Sequence, residues 1–209
     1  MKNLKYRNLM LIATLFISAC GSTTSITSSY KAPGVGQIAY KKVFVSALTA
    51  TASVRQTVEN SIAQYLGTKG IAVVKSTDVF PPDFHSSGND KDKDTVLSRM
   101  RATNCDGILT TALINKETEV SYVQGSAYGG TFGGYYRYGY GSFYSPGYYQ
   151  TEKVYYIQTN LFDAKTEKLI WSAQSKTYEP SSLEDFLQGY EKAISEQMVK
   201  DGLVAPSSK

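Results

Sequence analysis

Two short apolar runs, KKVFVSAL at 41–48 and IAVVK at 71–75, enclose a segment with helical periodicity, and this arrangement narrows the fold more than any other feature. Between them Val54, Val58, Ile62, Tyr65 and Leu66 recur at three- and four-residue spacings, so they share one helix face. Thr51 or Ser53 can cap its start. Gly70 can end it, with Lys69 at the negative end of the helix dipole. A strand, a helix and a strand in close succession predict a parallel pair with a right-handed crossover. A loop over 76–93 holds Pro81-Pro82 and leads to a second helix over about 94–104, with Val96, Leu97 and Met100 inward. Asp106-Gly107 then turns the chain into a third strand, 108–114. Two β-α steps in a row predict a sheet of α/β type.

The pattern then changes. Residues 153–162 and 167–178 read as antiparallel strands joined by the turn Asp163-Ala164-Lys165-Thr166. Ile157 and Leu161 share a face in the first, as do Leu169, Trp171 and Ala173 in the second. A last helix over about 182–201 opens with a capping-box-like Ser182 and Asp185. Its apolar stripe is Leu183, Phe186, Leu187, Tyr190, Ile194 and Met198. Gly189 costs it about 1 kcal/mol relative to Ala, and Gly202 is its stop. The expected fold is α/β (α+β): a single mixed-sheet domain over 39–204, β-α-β-α-β followed by an antiparallel hairpin and a C-terminal helix, with 205–209 as a tail.

The first 19 residues read as a signal peptide. A positive stretch, MKNLKYRN, precedes an apolar run of nine residues, LMLIATLFI, broken only by Thr14 and too short for a membrane span of about 20. The formal charge of +4 owes three units to Lys2, Lys5 and Arg7, so 4 − 3 leaves +1 after their removal, and charge gives no support for nucleic-acid binding. Ile17-Ser18-Ala19-Cys20 resembles the lipobox of bacterial lipoproteins. That resemblance implies a diacylglycerol on the Cys20 sulfur, cleavage before it and acylation of its amine. Gly21 in place of Asp resembles lipoproteins sent to the outer membrane of a Gram-negative cell. The expected location is therefore the cell envelope, anchored by lipid on Cys20 and facing the periplasm. Residues 20–38 then read as the lipidated cysteine and a flexible tether rich in Ser, Thr and Gly. Cys105 is left without a disulfide partner and is expected to be a small buried side chain.

Three segments, AYKKVFVSAL, KGIAVV with its preceding helix, and NCDGILTTALI, resemble the small α/β domain that opens the Tol–Pal periplasmic protein; a related domain occurs in lipoproteins of curli-type secretion. TNLFDAKTEKLIWSAQSKT with a terminal helix resembles a family of uncharacterised bacterial lipoproteins, in which a D-x-x-T-x-x-x-[IV]-W hairpin recurs, here Asp163, Thr166, Ile170 and Trp171. These resemblances imply a fold and a compartment more than an activity.

Residues 122–149 hold eight of the 17 glycines and nine of the 17 tyrosines, and so stand apart from the strands on either side. The stretch is a hairpin tip in which Gly supplies positive φ, a binding arm whose tyrosines combine large contact area with a polar end, or a self-associating segment. As a binding arm its candidate contacts are Tyr135, Tyr136, Tyr138, Tyr140, Phe143 and Tyr144, meeting another envelope protein or cell-wall glycan. Arg137 is its one cation, too few for a nucleic-acid strand.

No constellation calls for catalysis. The single histidine, His85, lies near Asp83 in a Pro-containing loop, with no nucleophile motif to serve. Asp90, Asp92 and Asp94 fail as a calcium loop, because Thr95 and Arg101 stand where Gly and Glu belong. They suit a solvated helix start. The expectation is a lipid-anchored binding or scaffolding module of the envelope, not an enzyme, with no cofactor and no metal. The alternatives are a subunit or accessory of an outer-membrane assembly or secretion complex, with oligomer formation, and a periplasmic hydrolase using Asp83 and His85.

Overall fold

The computed structural model describes residues 23–49, 51–81, 90–123 and 148–205. In chain order the elements are β1 (Thr23–Lys31), β2 (Lys42–Leu48), α1 (Ala52–Thr68), β3 (Ala72–Lys75), α2 (Ser76–Val79), α3 (Asp90–Ala102), β4 (Gly107–Val123), β5 (Tyr148–Asp163), β6 (Leu169–Tyr178) and α4 (Leu183–Lys200). The six strands form one sheet in the order β1-β6-β5-β4-β2-β3. β2 runs parallel to both β3 and β4, while the β4-β5-β6-β1 half is antiparallel. The mixed sheet and its covering helices make an α+β single domain, as the pattern of β-α steps followed by a hairpin predicts.

One sheet face lies against α1 and α4. Val43 and Val45 of β2, Leu109 of β4, Ile157 and Leu161 of β5, and Trp171 and Ala173 of β6 meet Ile62 of α1 and Tyr190 and Ile194 of α4. Trp171 is wholly buried, and its indole N–H donates to Asp201 Oδ2 at 2.7 Å. That bond satisfies the one polar atom of an otherwise apolar side chain. On the opposite face Phe44, Phe80 and Met100 form a smaller cluster under α2 and α3, with Phe44 and Phe80 edge to face at 6.4 Å. Cys105 is half-buried against this second cluster rather than fully inside, and Thr103 Oγ1 donates to its sulfur at 3.1 Å. Tyr40 lies across Gly107, where an added Cβ would fall 2.6 Å from the ring, so the start of β4 needs glycine.

Helix ends follow local chemistry. Ser182 Oγ accepts from the Asp185 N–H at 3.1 Å. The Asp185 carboxylate reaches back one residue further, to the N–H and hydroxyl of Ser181. Thr51 occupies the cap of α1, but its side chain makes no capping hydrogen bond. Gly70 and Gly202 take φ of +75° and +66° just beyond α1 and α4, where a side chain would be strained.

Several expectations need correction. Residues 23–31, read as tether, are strand β1, hydrogen-bonded along β6. An edge strand needs only one backbone partner, and Thr, Ile and Tyr suit a half-buried pleat. Ile26 reaches the core, Thr24 and Thr177 share a hydroxyl bond of 2.9 Å, and Lys31 Nζ donates to Asp201 O at the end of α4. The third strand does not stop at 114 but runs to Val123, and its partner begins at Tyr148 rather than 153. Outside a buried face no alternation is required, so these extensions carry no apolar pattern. The loop expected over 76–93 contains α2, and α3 opens at Asp90 instead of 94.

Candidate binding surface

β2 covers the edge of β4 only as far as the pair Leu48↔Ala112. β6 covers β5 only as far as Tyr178↔Val154. Beyond both limits β4 and β5 pair with each other alone, from Thr118↔Lys153 to Val123↔Tyr148. The result is a two-stranded ribbon standing off the end of the sheet. A bulge between Leu113 and Asn115 lies just before it on β4, where such an insertion bends a strand and increases its twist. On the side turned away from β5, residues 113–123 of β4 have no strand partner among the described residues.

Of the exposed large apolar side chains among the described residues, all but Tyr30 lie on or beside this edge. Leu48, Leu113, Ile114 and Val120 are 59%, 51%, 48% and 62% exposed, against near-zero values in the core. Leu48, Leu113 and Ile114 are neighbours where β4 loses its β2 partner, and Val120 lies further out. Single exposed apolar residues are ordinary, but a group along one unpaired edge marks a contact surface.

The ribbon root is set in charge and aromatic contacts. Lys176 Nζ lies 2.7 Å from Glu119 Oε1 and over the rings of Tyr178 and Tyr156, at 4.4 and 5.5 Å from their centroids. The hydrogen bond to Glu119, with further bonds to Tyr178 and Tyr156, raises the Lys176 pKa above the usual lysine value. Tyr156 OH donates to Glu117 Oε2 at 3.2 Å, and Lys116 lies 5.3 Å over Tyr155. Nearby on the same side of β5 and β6, Gln158 Nε2 donates to Asn160 and to Ser172, at 3.2 and 2.7 Å.

Two grooves meet at Leu48 and Thr49. One, of about 420 Å³, runs between α1 and α4 with Val54, Val58, Leu183 and Phe186 in its walls. On its floor Tyr190 OH donates to Thr111 Oγ1 at 3.0 Å and shares a 2.7 Å bond with Thr159. Burial raises the pKa of that phenol. The other, of about 580 Å³, lies on the opposite face, lined by Phe44, Leu97 and Met100 with Arg55 and Ser76.

Glu59 is a fully buried carboxylate on α1, one turn after the buried Arg55. It accepts hydrogen bonds from the N–H of Ala47 at 3.0 Å, the N–H of Thr77 at 2.9 Å and the Ser76 hydroxyl. These bonds tie the end of β2 to α2, so its lone pairs are spent on the scaffold. Among the described residues no cluster of His, Cys, Asp or Glu is arranged to hold a metal.

Of the residues singled out from sequence, Cys20, Asp83, His85 and the arm residues Tyr135, Tyr136, Tyr138, Tyr140, Phe143 and Tyr144 lie outside the described residues. The chain leaves the ribbon at Val123 and returns at Tyr148, which are the two ends of the segment carrying those arm residues. Leu48, Leu113, Ile114, Val120 and the Lys176 cluster were not singled out. Ile114 ended the expected third strand, and residues beyond it were not read as paired. Glu59 was legible in principle, since Arg55, Glu59 and Ile62 share helical spacing.

No family model matches the chain, and no curated protein matches it. Among solved structures it is similar to the PelC dodecamer from Paraburkholderia phytofirmans, at 19% identity over 88% of this chain and 99% of that one, with a TM-score of 0.43. It is also similar to lipoprotein GNA1162 from Neisseria meningitidis, at 15% identity, 76% and 98% coverage and a TM-score of 0.42. A third is protein XCC0632 from Xanthomonas campestris, at 10% identity, 82% and 87% coverage and a TM-score of 0.35. At such identities and scores nothing about this chain's chemistry follows from them.

Proposed function

We propose that this chain is a lipid-anchored protein of the bacterial envelope that binds a partner and carries out no reaction. Acyl chains on Cys20 hold it at the outer membrane on the periplasmic side, and the ribbon presents residues 124–147 to another envelope protein or to cell-wall glycan. The observation that carries this reading is the ribbon. A fold invests 12 residues of extended hairpin, counting 118–123 and 148–153, in a projection beyond the sheet, and residues 124–147, between its two strands in sequence, carry the Tyr/Gly stretch. Recognition residues are commonly placed on loops held out by a rigid scaffold.

The test is a cross-linked pull-down of the mature protein from native membranes. Wild type is compared with a variant in which Tyr135, Tyr136, Tyr138 and Tyr140 are replaced by Ser. Loss of a specific partner or of glycan retention, with an unchanged melting curve, is the expected result. Equal capture by both proteins overturns the role given to the arm.

A second reading is favoured by one observation. The outer edge of β1 and the free edge of β4 lie on opposite sides of the sheet, and neither has a strand partner among the described residues. Head-to-tail pairing of copies through such edges makes a closed ring or a filament. Under this reading the chain is a subunit of an outer-membrane assembly or secretion complex. Light scattering on the mature protein separates the two: a stable higher-order species favours the subunit, and a monomer at micromolar concentration favours the binding module.

A further inference from the structure

We infer that the β4 edge of the ribbon, with Leu48, Leu113, Ile114 and Val120, rests in the interfacial layer of the same bilayer that holds Cys20. This rests on the lipid-anchor reading above and adds an orientation to it.

The argument starts from β1. Thr23 pairs with Tyr178, Tyr178 with Val154, and Val154 with Glu117. The start of β1 is therefore level with the ribbon, at the end of the sheet where β2 finishes. Along β4, Ile114 lies three positions before that level and Val120 three positions after it. Three strand spacings, about 14 Å, separate Thr23 from Glu117. Cys20 is three residues before Thr23 in sequence, so extended chain puts at most about 10 Å between them. With 23–31 in the sheet, residues 21–38 no longer act as a spacer that holds the domain away from the membrane. An acylated Cys20 keeps the ribbon end within a few nanometres of the lipid surface.

Chemistry then selects how that end meets lipid. Lys116, Glu117, Glu119, Glu152 and Lys153 line the ribbon strands. Charges so placed oppose insertion into hydrocarbon, while exposed Leu48, Leu113 and Ile114, with Val120 further along, suit the boundary between headgroups and acyl chains. The ribbon therefore lies on the bilayer and does not span it. Each apolar contact acts at the high effective concentration that the anchor supplies, so a patch too small to hold the domain alone is sufficient to orient it.

The test uses the full chain, produced with its lipid and reconstituted in vesicles of phosphatidylethanolamine and phosphatidylglycerol. In a Cys105→Ser background, nitroxide labels are placed at Leu113→Cys and Val120→Cys, and at Lys69→Cys and Lys168→Cys as controls at the opposite end. Vesicle flotation first reports whether the protein is anchored. If it does not float, the anchor reading fails and this inference falls with it. If it floats, labels at 113 and 120 are expected to be several-fold more accessible to oxygen dissolved in lipid than to a water-soluble nickel chelate, with the reverse at 69 and 168. Water accessibility at 113 and 120 equal to the controls overturns the orientation while leaving the anchor intact. Protection of those labels from both quenchers places another copy or another protein on the edge and also overturns it.

Discussion

The sheet is held in two different ways at its two ends. Toward its parallel end most strands have a partner on each edge, and one face is packed with Trp171, Leu161, Val45 and Ile62 under α1 and α4. Beyond Glu117 only β4 and β5 continue, and the β4 edge, free of β2 from Leu113 on, leaves Leu113, Ile114 and Val120 exposed. The first region gains its free energy from burial, while the second relies on one ladder of backbone hydrogen bonds and a few charge–aromatic contacts. An isolated two-stranded ribbon is marginal in water. The two regions should therefore respond oppositely to mutation, with substitutions in the packed part lowering stability and those along the ribbon changing what the protein touches.

Trp171→Ala is the strongest way to probe the packed region. Truncating a wholly buried indole is expected to cost about 3–5 kcal/mol, read as a lower midpoint in chemical denaturation. A loss under about 1 kcal/mol would mean that the face under α4 is not the stabilising core. Next is Glu59→Ala, which leaves the buried N–H of Ala47 and the part-buried N–H of Thr77 without their acceptor and is expected to cost about 3 kcal/mol. Retention of wild-type stability would show that Glu59 is free for another role.

The β5–β6 turn supplies a smaller and pH-dependent effect. Asp163 Oδ1 accepts from the Thr166 hydroxyl and N–H, both at 2.7 Å, and these bonds hold its pKa below the usual carboxylate value. A depressed native pKa means that the unfolded chain binds the proton first. The stabilisation is therefore complete above about pH 5 and is lost as pH falls below about 4 toward the native pKa. Asp163→Ala should cost about 1 kcal/mol at neutral pH and flatten that acid-side slope. An unchanged slope would remove Asp163 as its source.

Leu113→Ser and Val120→Ser should each shift stability by no more than about 0.5 kcal/mol, because both side chains are already half exposed or more. A loss comparable to that of Trp171→Ala would erase the proposed division of labour. The smallest effect is expected inside the packed region itself. Ser175 is wholly buried, and its hydroxyl has no hydrogen-bond partner among the described residues. Ser175→Ala should therefore leave the melting temperature unchanged or slightly raised.

The same division governs what could be read from the sequence. Where a face is buried, burial forces a period, and Val54, Val58 and Ile62 or Ile157 and Leu161 announce their elements. The parallel pair, the hairpin turn at Asp163 and the terminal helix were legible for that reason. β1 was not, because an edge strand of Thr and Ser borrows its hydrogen bonds from β6 and buries little more than Ile26. The ribbon was not, because a strand pair standing off the sheet needs no alternation. Its apolar edge became visible only when the register showed where β2 ends. Composition alone drew attention to 122–149, since tyrosine and glycine so concentrated stand out without any structure.

Mass spectrometry of the protein extracted from its native membranes tests the account at its base. The predicted result is a mature N-terminus at Cys20 carrying a thioether-linked diacylglycerol and an acylated amine. A free thiol at Cys20, or a chain still bearing residues 1–19, would contradict it.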